Sequence, residues 1–161
     1  MRVSIIIPVL DSNNDLKKLL DAISCQTFQD FEVVIVDASE INQNKPIAPH
    51  LNLQEPIKYI HAPGAFPGKA RNIGVSEATG KFLAFLDVRT IPDINWLFYS
   101  LEFFNKDENM FHGSLIKTSG VTYFQKILRA SSYGSKPRRA LVGSILSQDL
   151  SLIHISEPTR R

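Results

Sequence analysis

Gly68-Lys69-Ala70-Arg71-Asn72-Ile73-Gly74, followed by Ala84-Phe85-Leu86-Asp87-Val88-Arg89, decides how this chain is read. The first stretch predicts a helix with a basic start, over Lys69 to Ala78, and Gly80 stands where a helix-ending glycine belongs. The second predicts a buried strand, Lys81 to Leu86, that delivers the carboxylate of Asp87 at its C-terminal end. Ligands of open α/β sheets bind at that edge, so position alone makes Asp87 a candidate site residue.

Two earlier segments repeat this design of an apolar run followed by polar residues. Val3 to Val9 is β-branched and apolar on both faces, as a central parallel strand is. Asp11, Ser12 and Asn13 are good helix caps, and Leu16, Leu19, Leu20 and Ile23 recur at helical spacing, predicting a helix to about Gln26. Glu32 to Val36 reads as strand two, ending on Asp37-Ala38-Ser39, and Asn42, Asn44, Pro46 and Pro49 mark the loop after it. Ile57 to His61 reads as a short third strand, and Gly64 to Gly68 as a turn-rich loop.

Beyond Asp87, a helix is expected from Trp96 to Phe104, a strand over Met110 to Ile116, a helix over Val121 to Ser132 and a strand over Leu141 to Leu146. Strand and helix alternate throughout, which predicts an α/β fold with a mostly parallel sheet and right-handed crossovers.

The composition is that of an ordinary globular domain, with 161 residues, 43% hydrophobic and 21% charged. A net charge of +2 gives no reason to expect nucleic acid as a partner. The single cysteine, Cys25, excludes an internal disulfide and a cysteine metal cluster, and is expected as a buried thiol in the first helix. No apolar stretch approaches the roughly 20 residues of a membrane helix. There is no signal-peptide pattern at the start, so a cytoplasmic setting is the default expectation. No G-x-G-x-x-G follows strand one, and there is no P-loop and no G-x-S-x-G elbow. His61 and His112 have no metal-ligand partners at fitting spacing.

Together the three segments, with Ala70-Arg71-Asn72 between the second and third, resemble the family 2 glycosyltransferases. The resemblance implies a three-layer α/β/α fold of the nucleotide-diphospho-sugar transferase type, called GT-A. It covers residues 3 to 149, read as an incomplete GT-A domain over 1–149. Residues 150–161, ending Leu152-Ile153-His154-Ile155-Ser156-Glu157-Pro158-Thr159-Arg160-Arg161, read as a non-native tail, like the peptide translated from a sequencing adapter.

The family likeness implies transfer of a sugar from a nucleoside diphosphate, usually UDP, to a hydroxyl on a carbohydrate or lipid-linked acceptor, with inversion. Its usual setting is polysaccharide synthesis in the cytoplasm, including at the inner face of the membrane. By resemblance, Asp37 with Ser39 meets the nucleobase, Pro8 and Asp11 flank it, and Arg71 reaches the nucleotide. Asp11 is equally a helix cap, and Asp37 equally a loop-start aspartate. The family's catalytic base lies in a downstream Glu-Asp pair. Asp149 does not fit that place, so the base is expected beyond this part of the chain.

One departure stands out. The family usually carries Asp-x-Asp, whose last aspartate binds Mn²⁺ or Mg²⁺ at the diphosphate. Here the pattern is Asp87-Val88-Arg89. Two carboxylates two residues apart make a hard-cation site, and one beside a guanidinium does not. Two readings stay open: Arg89 supplies the positive charge itself and the enzyme needs no metal, or the donor site is degenerate and the protein is an inactive nucleotide-sugar-binding module. A sugar nucleotidyltransferase shares the sheet architecture, but Leu10-Asp11-Ser12-Asn13 lacks the glycine-rich phosphate loop of that class.

Overall fold

The computed structural model describes residues 3–41, 57–104, 112–113 and 144–147. Their elements, in chain order, are β1 (Val3–Val9), α1 (Asn13–Ser24), β2 (Phe31–Asp37), β3 (Lys58–His61), α2 (Pro67–Glu77), β4 (Phe82–Phe85), α3 (Trp96–Phe104), β5 (His112–Gly113) and β6 (Ser144–Ser147). The strands form one sheet in the order β3-β2-β1-β4-β6-β5. β1 lies parallel to β2 on one side, from Val3↔Phe31 to Val9↔Asp37, and parallel to β4 on the other, from Val3↔Phe82 to Ile6↔Phe85. β3 extends the parallel part, and β6 returns antiparallel between β4 and β5.

The apolar runs are continuous because both faces of the sheet are covered. Ile5, Ile7, Val33, Ile35, Phe82 and Ala84 face Leu16, Leu19, Leu20 and Ile23 of α1 and Leu97 and Leu101 of α3. Ile6, Val34, Val36, Leu83 and Phe85 face Ala70 of α2. Each fully buried Leu or Ile contributes about 1.5–3 kcal/mol. α2 lies so close that a Cβ on Gly74 would collide with the Ile6 side chain.

Several expectations are corrected. α2 starts two residues earlier than predicted, at Pro67, because proline suits the first helical position, where no N–H is needed. The helix ends on Ala78, so Gly80 is not its cap. A Cβ on Gly80 would lie 2.7 Å from both the backbone nitrogen and Oγ of Ser4, so the glycine is there for close approach to β1. Ser12 precedes α1, but its hydroxyl donates to the Leu10 carbonyl (2.7 Å) and does not cap the helix. Cys25 is exposed at the end of α1, where the stripe of Leu16, Leu19, Leu20 and Ile23 has turned away from it. The predicted helix over Val121 to Ser132, most of the strand over Met110 to Ile116, and Asp149 with the tail lie outside the described residues.

The N-terminal edge of the sheet is tied by a buried carboxylate. Glu32 Oε1 accepts from Ser4 Oγ (2.6 Å) and from the Thr79 amide and hydroxyl, while Oε2 lies 3.1 Å from Lys58 Nζ. Burial alone pushes the Glu32 pKa up, but the bonds from Ser4, Thr79 and Lys58 outweigh it and hold it down at about 2, from 4.5. A depressed folded-state pKa stabilises the fold fully above the unfolded value and is lost as pH falls through the folded one. Glu32 is therefore expected to contribute up to about 3 kcal/mol above about pH 4.5, fading towards about pH 2. Urea unfolding across that range would show it, and Glu32→Gln should flatten this part of the slope. Gly80→Ala should cost about 1–3 kcal/mol by overpacking, read as a lower Tm.

Candidate functional site

The site is built at the C-terminal edge of the sheet, where β1, β2 and β4 end side by side. Pro8, half-buried, pairs with Val36, and Val9 pairs with Asp37. The Ala38 amide donates to the Val9 carbonyl (2.8 Å), so the ladder runs one residue past β2. Next, Asp11 turns the chain in the left-handed region, φ 45°, a conformation that aspartate tolerates better than most residues. Its amide donates to Ser39 Oγ (2.9 Å), joining the loop after β1 to the loop after β2.

Asp37 and Ser39 have no exposed surface. Asp37 Oδ1 accepts from the Ser39 amide (3.0 Å) and from Ser39 Oγ (2.6 Å). Oδ2 accepts from the Tyr59 hydroxyl. Burial, then the hydrogen bond and negative charge of Asp37, push the Tyr59 pKa well above its ordinary value, so this hydroxyl keeps its proton and donates. His61 Nε2 lies 2.8 Å from the Ser39 carbonyl, which can only accept, so Nε2 carries the proton in this contact. The chain then turns at Gly64, φ 68°, whose amide donates to the Ala38 carbonyl (3.0 Å).

On the other side of β1, the Leu86 amide donates to the Ile6 carbonyl (3.1 Å), carrying the chain on to Asp87. Asp87 is exposed and its Oδ1 accepts from the Arg89 amide (3.0 Å), while the Thr90 amide closes the turn on the Asp87 carbonyl (2.9 Å). The Arg89 side chain is exposed in the same turn. Arg71 is half-buried on α2, two positions further into the helix than the sequence suggested because the helix starts at Pro67; Lys69 is exposed in the first turn, which holds no acidic residue.

Asp37 and Asp87 thus end the strands on either side of β1. With about 4.8 Å between neighbouring strands, two spacings set them roughly 10 Å apart across the edge. That span suits a nucleoside laid across the end of β1. Among the described residues no group of three or more His, Cys, Asp or Glu could hold a metal ion. Asp87 has a guanidinium where a second carboxylate would be needed, so this donor set does not fit a divalent cation.

Comparison with known proteins settles the family. The family model "Glycosyl transferase family 2" matches residues 4–153. The chain belongs to glycosyl transferase family 2. An uncharacterized glycosyltransferase of Rickettsia felis is 26% identical over 159 residues, 98% of this chain and 25% of the relative. The poly(ribitol-phosphate) beta-N-acetylglucosaminyltransferase TarS of Staphylococcus aureus (strain Mu50) is 32% identical over 93 residues, 54% of this chain and 16% of TarS. The chain spans about a quarter or less of these relatives. Among solved structures, S. aureus TarS 1–349 in complex with UDP superposes with a TM-score of 0.67 at 22% identity, covering 93% of this chain and 48% of that one. The Pyrobaculum calidifontis mannosyltransferase PcManGT, in complex with GDP-Man and Mn²⁺, gives 0.69 at 18%, covering 98% and 48%. The family 2 chain therefore has the GT-A fold that its sequence led us to expect, and no described helix is long and apolar enough to cross a membrane.

Of the sequence-predicted site residues, the structure joins Asp11, Asp37 and Ser39 in one hydrogen-bonded unit, with Pro8 beside it. Asp87 and Arg89 form a second unit across β1, and Arg71 stands on α2. Sequence reading took Tyr59 only as part of a short strand, and weighed His61 only as a metal ligand without partners. The signal was there in the strand period: Tyr59 pairs with Ile35, two residues before Asp37, and so shares its face.

Removing the Ser39 hydroxyl leaves the Asp11 amide and a buried carboxylate oxygen short of a partner. Ser39→Ala is expected to cost roughly 1–3 kcal/mol, a Tm loss of about 2–10 °C. Asp11→Gly, which relieves the left-handed backbone, should hold or raise Tm in the same thermal unfolding experiment.

Proposed function

We propose that this chain is the donor-binding part of a glycosyltransferase that moves a sugar from a nucleoside diphosphate, UDP being the expected one, to a hydroxyl acceptor with inversion. The observation that carries the reading is the pair of aspartates ending the strands on either side of β1, Asp37 buried with Ser39 and Asp87 exposed beside Arg89. On this reading the base lies toward Asp37 and Ser39, with Pro8 and Asp11 flanking it, and the ribose lies toward Asp87. The diphosphate meets Arg89 and Arg71. Support for UDP comes from relatives in fold: TarS has been seen with UDP and with UDP-GlcNAc. A carbohydrate or lipid-linked acceptor remains the family expectation.

Breaking the sugar–phosphate bond leaves growing negative charge on the diphosphate, and a cationic group must meet it. Arg89 suits that task, because its planar fork pairs with phosphate oxygens and stays charged at every working pH. It would hold the leaving group without a divalent cation. Calorimetry of UDP against the chain, with and without Mn²⁺, tests this. The expected result is the same affinity in both, with Arg89→Ala roughly tenfold or more weaker. Full affinity in Arg89→Ala would sink the assignment.

The same arginine favours a second reading, a nucleotide-sugar-binding module without turnover. Hydrolysis or transfer of UDP-sugar by the full-length protein separates the two.

A further inference from the structure

A carboxylate without exposed surface cannot meet an incoming base while all its present partners stay in place. Asp37 is such a carboxylate, and its partners differ in how easily they leave. Ser39 binds Oδ1 twice, through its amide and its hydroxyl, from only two residues along the chain, and is itself fully buried. Its hydroxyl also accepts from Asp11. Moving it would unmake both loops. Tyr59 binds the other oxygen, Oδ2, from 22 residues away. It is half-buried on β3, the outermost strand on that side of the sheet. Its ring packs against the edge of the core, but no ladder bond runs through the side chain, so it can leave Oδ2 without breaking the ladder.

We propose that the Tyr59 hydroxyl is a placeholder: it occupies Asp37 Oδ2 in the empty site and gives way to an imino N–H of the nucleobase, so that Tyr59 sets both affinity and base selectivity. The proposal rests on the reading that Asp37 faces the base. Exchange of one donor for another keeps the buried carboxylate hydrogen-bonded at every stage, which avoids the cost of leaving it short of a partner. It also filters bases. A ring that presents N–H to Oδ2 repays the lost tyrosine bond; a ring with a methyl group there cannot, so it binds only with the tyrosine bond left in place. The raised pKa of Tyr59 agrees with this, since a hydroxyl that holds its proton is a competent stand-in for N–H.

The test compares UDP with N3-methyl-UDP, which cannot donate at that position, by calorimetry on the 161-residue chain. The unaltered chain should prefer UDP. Tyr59→Phe removes the competing hydroxyl and keeps the ring. It should bind UDP roughly five- to tenfold more tightly, with N3-methyl-UDP unchanged, so that the preference widens. Tyr59→Met, which also lacks a donor, should move the same way and serves if the phenylalanine variant fails to fold. UDP binding that is unchanged or weaker in these variants overturns the placeholder, as does an equal gain for both ligands. Asp37→Asn isolates the underlying reading. If the chain binds no UDP, shows no preference, or keeps its preference in Asp37→Asn, the base contact itself is wrong. If Asp37→Asn erases the preference while Tyr59→Phe gains nothing, only the placeholder falls.

Discussion

β1 pairs along its length with β2 and along Val3 to Ile6 with β4, and carries helices over both faces. A strand in that position can have neither unpartnered polar side chains nor unpaired backbone, since both would be buried without water, and its one buried hydroxyl, Ser4, is bonded to Glu32 and Gly80. Ile5, Ile6 and Ile7 answer the first demand, and the two parallel ladders the second. The candidate site is then hung from its C-terminal end. The loop to Asp11 must leave over the C-terminal edge, and the neighbours must deliver Asp37 and Asp87 beside it. At the opposite end, Gly80 must lie against Ser4 so that β4 can start in register.

β2 carries a buried carboxylate at each end, Glu32 and Asp37, and β3 supplies a partner for both. Lys58 reaches back to Glu32 and Tyr59 reaches forward to Asp37, although the two residues pair with Val34 and Ile35. Each carboxylate is buried and held by several donors, as a charge in a low-dielectric site must be. A slip of β3 by one residue would turn Tyr59 to the other face and draw Lys58 off Glu32. Two polar contacts thus agree with the register that the ladder and the packing of Tyr59 and Ile60 give this four-residue strand.

The parallel core was legible because its signals are local: apolar runs of fixed length, helical spacing in Leu16 to Ile23, and polar residues where each run stops. α3 was readable to the residue. Where reading failed, the cause was tertiary. Gly80 looks like a helix stop from its distance to α2, but the close backbone of Ser4 is invisible in sequence. Cys25 looks buried by residue type, but its angular position on α1 exposes it. Ser12 has the chemistry of a cap, and the sharp turn at Asp11 points its hydroxyl at Leu10 instead. The antiparallel return of β6 could not be told from strand–helix alternation, since pairing direction is set by connections, not by composition. In the candidate site, Asp37, Ser39 and Asp87 stand at strand ends, as the apolar runs before them predict. Tyr59 escaped because its role exists only through the pairing of β3 with β2.

The division of the edge by β1 also bears on how Arg89 could arise. The Asp87 turn is closed by backbone groups: the Arg89 amide on Oδ1 and the Thr90 amide on the Asp87 carbonyl. Neither bond uses the side chain at position 89, so the residue there is free to change without disturbing the turn. Across β1, by contrast, Asp11, Asp37, Ser39 and Tyr59 are linked through side chains. On the proposed reading, a substitution that inverts charge at position 89 leaves the Asp37 unit unchanged. Arginine at position 89 therefore stands beside an Asp37 unit that stays assembled.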